Sequence, residues 1–190
     1  MWAGRSAPSG ENARVGSLDG KTVALVVAHR GFRETELLEP RARLERDGAS
    51  VLIASSSTAP AQGMEGGECY PDVLYSALQA TRLDGLVFVG GTGAAEYFAD
   101  RTAHRLIGDA VEAGKVVGGI CFAASTLANA GVLEGRPATC APAREAHLRS
   151  RGAVVTGAPV TVSERVVTGR GPDDAQAFAD ALASALAAEE

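Results

Sequence analysis

The chain has 190 residues, 46% of them hydrophobic and 22% charged, with a net charge of −5 at neutral pH. That length and balance describe one globular domain with a substantial core and exclude a disordered chain. The acidic balance and the lack of any Lys/Arg-rich run exclude nucleic acid as the expected partner. No apolar stretch is long enough to span a membrane, and the N-terminus has no apolar signal core, so neither membrane association nor export is expected. Three widely spaced cysteines fit neither a disulfide framework nor a zinc site. They point to a reducing compartment, the cytoplasm, where free thiols survive. With aromatics at only 5%, the core has to be built from Val, Leu, Ile and Ala.

Taken in order, residues 1–20 are rich in Gly, Ser and Pro and predict a disordered arm, leaving 21–190 as a single domain. Thr22 to Ala28 is a continuous apolar run, the pattern of a strand covered on both faces, and it ends at His29-Arg30-Gly31. An acidic segment, Phe32 to Pro40, leads into a helix that carries Leu44 and stops at Asp47-Gly48, with Pro40 suited to a first turn or a kink. Ala49 to Ala54 is a second strand. Ser55 to Gly67 reads as a surface loop or short hairpin, and Asp72 to Thr81 as a helix. Strand Leu86 to Val89 runs into Gly90-Gly91-Thr92-Gly93, where the missing side chains let a backbone approach a ligand. That glycine run has neither the Rossmann nor the Walker spacing, and no metal or organic cofactor is expected.

A helix follows from about Arg101 to Ala113, closed by Gly114. After the next strand and its helix to Ala130, Pro137 to Pro142 is extended and Ala143 to Ser150 helical. Val160 to Val162 and Val166 to Thr168 form two strands joined by a tight turn. A last helix opens at Gly171-Pro172-Asp173-Asp174 and buries Ala175, Phe178, Ala179, Leu182 and Leu186. Strands alternating with helices predict a single-domain, three-layer α/β sandwich, a mostly parallel central sheet covered on both faces, flavodoxin-like in class. Ligands in such sheets bind beyond the carboxyl ends of the strands. Three of those ends carry chemistry: His29 to Glu36, Gly90-Gly91, and Cys121.

The stretch Val116-Val117-Gly118-Gly119-Ile120-Cys121 is an apolar run that ends in a cysteine and passes at once into a small-residue helix pattern. A residue at such a turn is pushed out over the sheet end, where a helix N-terminus favours its thiolate. The alternative is a small buried hydrophobe at a strand end, the commoner fate of a free cysteine.

Four stretches together resemble the ThiJ/PfpI family of the class I glutamine-amidotransferase-like superfamily: Gly31 to Pro40, Asp84 to Gly91, Gly114 to Cys121 with Leu127 to Thr139, and Thr168 to Asp174. The resemblance implies Cys121 as the nucleophile position and Glu36 as the carboxyl that contacts its sulfur. It implies an oxyanion hole from the N–H groups of Gly91, after Gly90, and of Phe122. It also implies self-association as a homodimer. A half-buried Glu36 beside a negative sulfur would have its pKa raised, whereas Glu34 and Glu39 are expected to face solvent. Two departures stand out. Many hydrolytic members carry a His directly after the nucleophile, where this chain has Phe122; another branch takes a His from the next loop, where this chain has Ala141 after Cys140. His29, at a strand end, is the remaining histidine with access to the crevice, while His104 and His147 are expected at the surface. Cys140 could pair with or shield Cys121, and Phe122 could select an apolar substrate. The expected function is a small-molecule enzyme in which the Cys121 thiolate adds to an electrophilic carbon with Glu36 as proton shuttle, in hydratase, glyoxalase/deglycase-like or specialised biosynthetic chemistry. The alternative is a redox-sensing or stress-response protein whose Cys121 is oxidised. A peptidase is disfavoured, because no base stands at either matched position.

Overall fold

A computed structural model of the chain describes residues 18–188. The first apolar run becomes β1 (Thr22–Val26), followed by β2 (Arg30–Phe32) and α1 (Glu34–Arg46). Next come β3 (Ser50–Ser55), β4 (Ala61–Gly63), β5 (Glu68–Cys69), β6 (Val73–Leu74) and β7 (Gly85–Phe88). The second half runs α2 (Arg101–Glu112), β8 (Val116–Ile120), α3 (Ala124–Asn129), β9 (Pro137–Ala138) and α4 (Glu145–Ser150). It closes with β10 (Val154–Val155), β11 (Val160–Ser163), β12 (Val166–Gly169) and α5 (Ala175–Ala187).

Seven strands form the main sheet in the order β11-β12-β8-β7-β1-β3-β6, all parallel to their neighbours except the edge strand β11. The continuous apolar runs of β1, β7 and β8 are buried on both faces, as strands sandwiched between helices must be. One face packs against α1 and α5 through Leu37, Leu44, Phe178, Leu182 and Leu186. The other packs against α2 and α3 through Leu106, Ile107 and Leu127. The expected flavodoxin-like three-layer sandwich is therefore the observed architecture. Because β8, β7 and β1 are neighbours, the three chemically interesting strand ends lie side by side. Beyond β1, β2, β4 and β5 form a small separate sheet in which β2 and β4 are parallel and β4 and β5 antiparallel. Among the described residues no helix is long and apolar enough to cross a membrane.

Two expectations are corrected. Asp72 to Thr81 is not a helix. It is the short edge strand β6 followed by two 3-10 turns, Tyr75–Ala77 and Ala80–Arg82. Val73, Leu74, Ala77 and Leu78 have helical spacing, but Asp72 grips β3 twice. Its carboxylate accepts from the Ile53 N–H at 2.8 Å and its own N–H donates to the Ile53 carbonyl at 2.7 Å. That pairing extends the chain along the sheet edge, so tertiary contacts override the local pattern. The second correction concerns the expected arm. Residues 1–17 lie outside the described residues, but Leu18 is fully buried and its N–H donates to the Asp47 carbonyl at 2.7 Å. The fold therefore begins before residue 21. Leu18→Ala is expected to lower unfolding free energy in urea by about 2–3 kcal/mol, the cost of emptying a packed leucine site.

Candidate active site

Strand β8 ends at Cys121, which adopts φ 60°, a left-handed conformation shared among non-glycine residues described here only by Glu164 in the β11–β12 turn. For a residue with a side chain this costs on the order of 1–3 kcal/mol and persists only where the surroundings enforce it. A 3-10 turn over Cys121–Ala123 carries the chain directly into α3. The bend throws the thiol out over the sheet end, and the residue is 8% exposed, so the sulfur is barely reachable from solvent. The backbone N–H groups of Gly91 and Phe122 are directed at it. Gly90 leaves the space in which thiol and carboxyl meet. A Cβ there would collide with Glu36 Oε2, lie 2.6 Å from the Ile120 carbonyl oxygen and 2.8 Å from Cys121 Cβ.

Glu36 enters from the first turn of α1 and is fully buried. Neither carboxyl oxygen receives a hydrogen bond of full geometry; the groups placed to supply one are the Cys121 thiol and the Gly90 N–H. Pro40, inside α1, has no N–H to bond the Glu36 carbonyl four residues earlier, so this turn of helix is held by packing as well as by its ladder. Burial raises the Glu36 carboxyl from an ordinary 4.5 to about 7, against the opposing influence of the Cys121 thiol, the Arg33 charge and the Gly90 N–H. The thiol behaves differently from expectation. The helix start was expected to favour the thiolate, yet burial and then the Glu36 negative charge push Cys121 up to about 12, and the Phe122 and Gly91 N–H groups offset only part of this. Above neutral pH the pair therefore holds its one proton on sulfur, with the carboxylate beside it.

No histidine is among the groups that act on the thiol. His29 sits at the carboxyl end of β1, where its N–H donates to Glu96 Oε2 at 3.0 Å and its Nδ1 is buried without a hydrogen bond. His104 and His147 are not the surface side chains expected. Both are half-buried and bonded behind the elbow. His104 Nε2 lies 3.0 Å from the Phe98 carbonyl oxygen, which also accepts from Asn129 Nδ2 at 2.7 Å. His147 Nε2 meets Asn129 Oδ1 at 2.8 Å, and burial, with Arg144 and Arg151 nearby, lowers its pKa. Arg144 donates to Ser125 Oγ at 2.8 Å and stacks 4.7 Å over the Phe98 ring. Helix α3 is thus anchored at Ser125 and Asn129, one turn apart on one face. These anchors carry no signal in the sequence, because each is a lone polar residue in a small-residue helix.

Cys140 is a free, fully buried thiol packed in the α2–α3 side of the core, whereas Cys121 and Ala141 pack on the α1–α5 side. The Ala141 N–H reaches the Cys121 carbonyl at 3.5 Å, so this loop braces the elbow through backbone. Phe122 is half-buried and touches both core clusters. Glu34 does not face solvent as expected; it is half-buried and bonded to the β4–β5 turn. Glu39 is exposed.

A strained cysteine elbow at the carboxyl end of a doubly covered parallel sheet, ringed by a buried carboxyl and two amides, marks the candidate site of this three-layer α/β protein. The chain matches the DJ-1/PfpI family over residues 21–185 and belongs to it. A crystal structure of a ThiJ/PfpI domain protein from Brachyspira murdochii superposes with a TM-score of 0.85 at 32% identity, covering 88% of this chain and 98% of that one. Deglycase TK1284 of Thermococcus kodakarensis is 29% identical over 154 residues, 81% of this chain and 93% of the relative. The glutathione-independent glyoxalase DJR-1.2 of Caenorhabditis elegans is 26% identical over 170 residues, 90% and 91% of the two chains.

Proposed function

We propose that this protein is a cysteine-dependent enzyme acting on a small electrophilic carbonyl compound, with Cys121 as nucleophile and Glu36 as proton shuttle. The observation that carries the reading is the buried Glu36 carboxyl, unpaired except for the thiol and the Gly90 N–H, beside a cysteine held at φ 60°. A carboxyl in that position has no evident structural partner to satisfy, and desolvated acid–base groups mark functional sites. The names of the deglycase and glyoxalase relatives support the same chemical class.

In the proposed reaction with an α-oxoaldehyde, Cys121 Sγ attacks the aldehyde carbon as its proton passes to the Glu36 carboxylate. The carbonyl electron pair moves to oxygen, which the Gly91 and Phe122 N–H groups stabilise and to which Glu36 then returns the proton. Glu36 next removes the hydrogen of that carbon, and the electron pair passes to the neighbouring carbonyl. Glu36 returns that proton to the neighbouring carbon while the hydroxyl proton passes from the former aldehyde oxygen to the neighbouring oxygen, which leaves a thioester that one water molecule hydrolyses, freeing Cys121 and a 2-hydroxy acid. The aldehyde carbon is oxidised as its neighbour is reduced, so no external oxidant or reductant is needed.

The test is turnover of methylglyoxal and phenylglyoxal by the wild type, Cys121→Ser and Glu36→Gln; activity that survives in Cys121→Ser would remove the nucleophile assignment. The first step needs an ionised Glu36, so kcat/KM is expected to rise with pH through a midpoint near Glu36's value of about 7. A flat profile across that range, or one unchanged in Glu36→Gln, contradicts the shuttle. The second reading, a redox sensor, is favoured by the same amides, which would also bind the oxygens of an oxidised sulfur. Ready sulfinate formation without any carbonyl turnover would select it. The peptidase reading lacks a base, with Phe122 and Ala141 at the two matched positions.

A further inference from the structure

The turn between β4 and β5, Met64-Glu65-Gly66-Gly67, is built around a carboxylate from α1. Glu34 Oε1 accepts from the Glu65 N–H at 2.8 Å and the Gly67 N–H at 3.0 Å. A Cβ at Gly63 would collide with that carboxylate, and one at Gly67 would lie 3.0 Å from Glu34 Cγ, so both glycines make room for it. Burial disfavours the charge, but the backbone donors and Arg33 outweigh it and hold the Glu34 carboxyl below its ordinary range. Arg33 pairs with Glu65 at 2.7 Å, and the Met64 N–H bonds the Phe32 carbonyl at 2.9 Å. The turn is therefore fixed from several sides at once.

Held this way, Met64 Sδ lies 3.4 Å from the Thr92 nitrogen, one residue beyond the Gly91 amide that faces the thiol. Met64 is 40% exposed and Cys121 8%, so beside the Gly91–Thr92 amides the methionine is open to solvent while the cysteine is nearly closed off. We propose that Met64 is a specificity-determining residue of the Cys121 site, the wall against which the non-reacting part of a substrate packs, and that Glu34 is the positioning residue that fixes this wall. The proposal rests on Cys121 being the reacting group. A thioether is unbranched, polarizable and apolar, so it adapts to an aliphatic or aromatic substituent and offers nothing to a charged one. With half-buried Phe122 on the elbow side, it selects carbonyl compounds bearing an apolar group.

The test uses alkylation of Cys121 in the full chain, read at its own peptide by mass spectrometry, with iodoacetamide as a small probe and N-phenylmaleimide as a bulky one. Met64→Ala is expected to lower the N-phenylmaleimide-to-iodoacetamide rate ratio about fivefold, because the apolar contact with the phenyl ring is lost, a change of the size that apolar pocket contacts produce. Glu34→Ala is expected to move the ratio the same way by releasing the turn. Glu34→Gln, whose amide oxygen still accepts both N–H bonds, is expected to restore it. A ratio unchanged within about twofold in Met64→Ala overturns the wall, and a Glu34→Gln variant that behaves like Glu34→Ala overturns the positioning role. Because alkylation needs only the thiol, a protein that turns over no carbonyl compound loses the proposed activity while the ratio still decides the wall. Where turnover is present, the phenylglyoxal-to-methylglyoxal preference of Met64→Ala is expected to fall through KM, with kcat little affected.

Discussion

Cys121→Ala is expected to lower kcat/KM for an α-oxoaldehyde by about 10³-fold or more, measured by steady-state assay, while leaving the far-UV circular dichroism unchanged. The size follows from the proposed step: without sulfur no covalent adduct forms, and the Gly91 and Phe122 amides can only polarise a carbonyl that nothing attacks. Alanine also has a Cβ, so it keeps the left-handed strain at φ 60° and removes only the reacting atom. The variant thus isolates chemistry from fold. A residual rate within about tenfold of wild type would place the reaction elsewhere in the crevice.

The second large effect has opposite signs for function and for stability. Glu36→Gln is expected to lower kcat by about 10²-fold or more, the usual contribution of a positioned acid–base group, and to make the protein harder to unfold. The sign follows from linkage. An unfolded Glu36 titrates at an ordinary 4.5, and the folded one at about 7 because it is buried. Between those values the native state holds a proton that the unfolded state has lost, so stability falls as pH rises through this window. At about 1.4 kcal/mol per unit, the ionised carboxylate costs the native state roughly 3 kcal/mol once both states are ionised. Glutamine avoids that charge but brings an amide with few partners, so a gain of about 2 kcal/mol is expected in urea unfolding near pH 8. At about pH 4, where the folded carboxyl is neutral, the difference is expected to vanish or reverse. A Glu36→Gln protein no more stable than wild type at the higher pH would mean that the ionised carboxylate is not a strained group.

Much of this was legible in the chain. The apolar runs of β1, β7 and β8 announce a covered parallel sheet, and the step from Ile120 through Cys121 into small residues announces the elbow. Glu36 and the Gly90-Gly91 pair stood out by resemblance, and their convergence on one sulfur follows from the adjacency of β8, β7 and β1. That adjacency is a property of strand order, which local patterns do not contain. The segment at 72–81 departs from its helical spacing for a related reason: the partner that straightens it, Ile53, lies 19 positions away from Asp72 in the chain. The direction of the Cys121 shift is decided by magnitudes that the sequence does not carry. A 3-10 turn of three residues leading into a six-residue helix offers one useful amide, that of Phe122, and even with the Gly91 amide from the loop after β7 it is outweighed by burial together with a carboxylate alongside. The Glu34 turn left only a faint trace, the glycines at 63, 66 and 67 around Met64 and Glu65.

The anchoring of α3 bears on how the elbow survives. A left-handed cysteine would relax toward an ordinary backbone if the segment after it could slide or unwind by a fraction of a turn. Ser125 is tied to Arg144 and Asn129 to Phe98 and His147, so that segment has nowhere to go. The tension at Cys121 is in this sense set remotely, like the pitch of a string fixed at its peg. Retuning it calls for changes at Arg144, Asn129 or His147, none of which acts on the thiol directly.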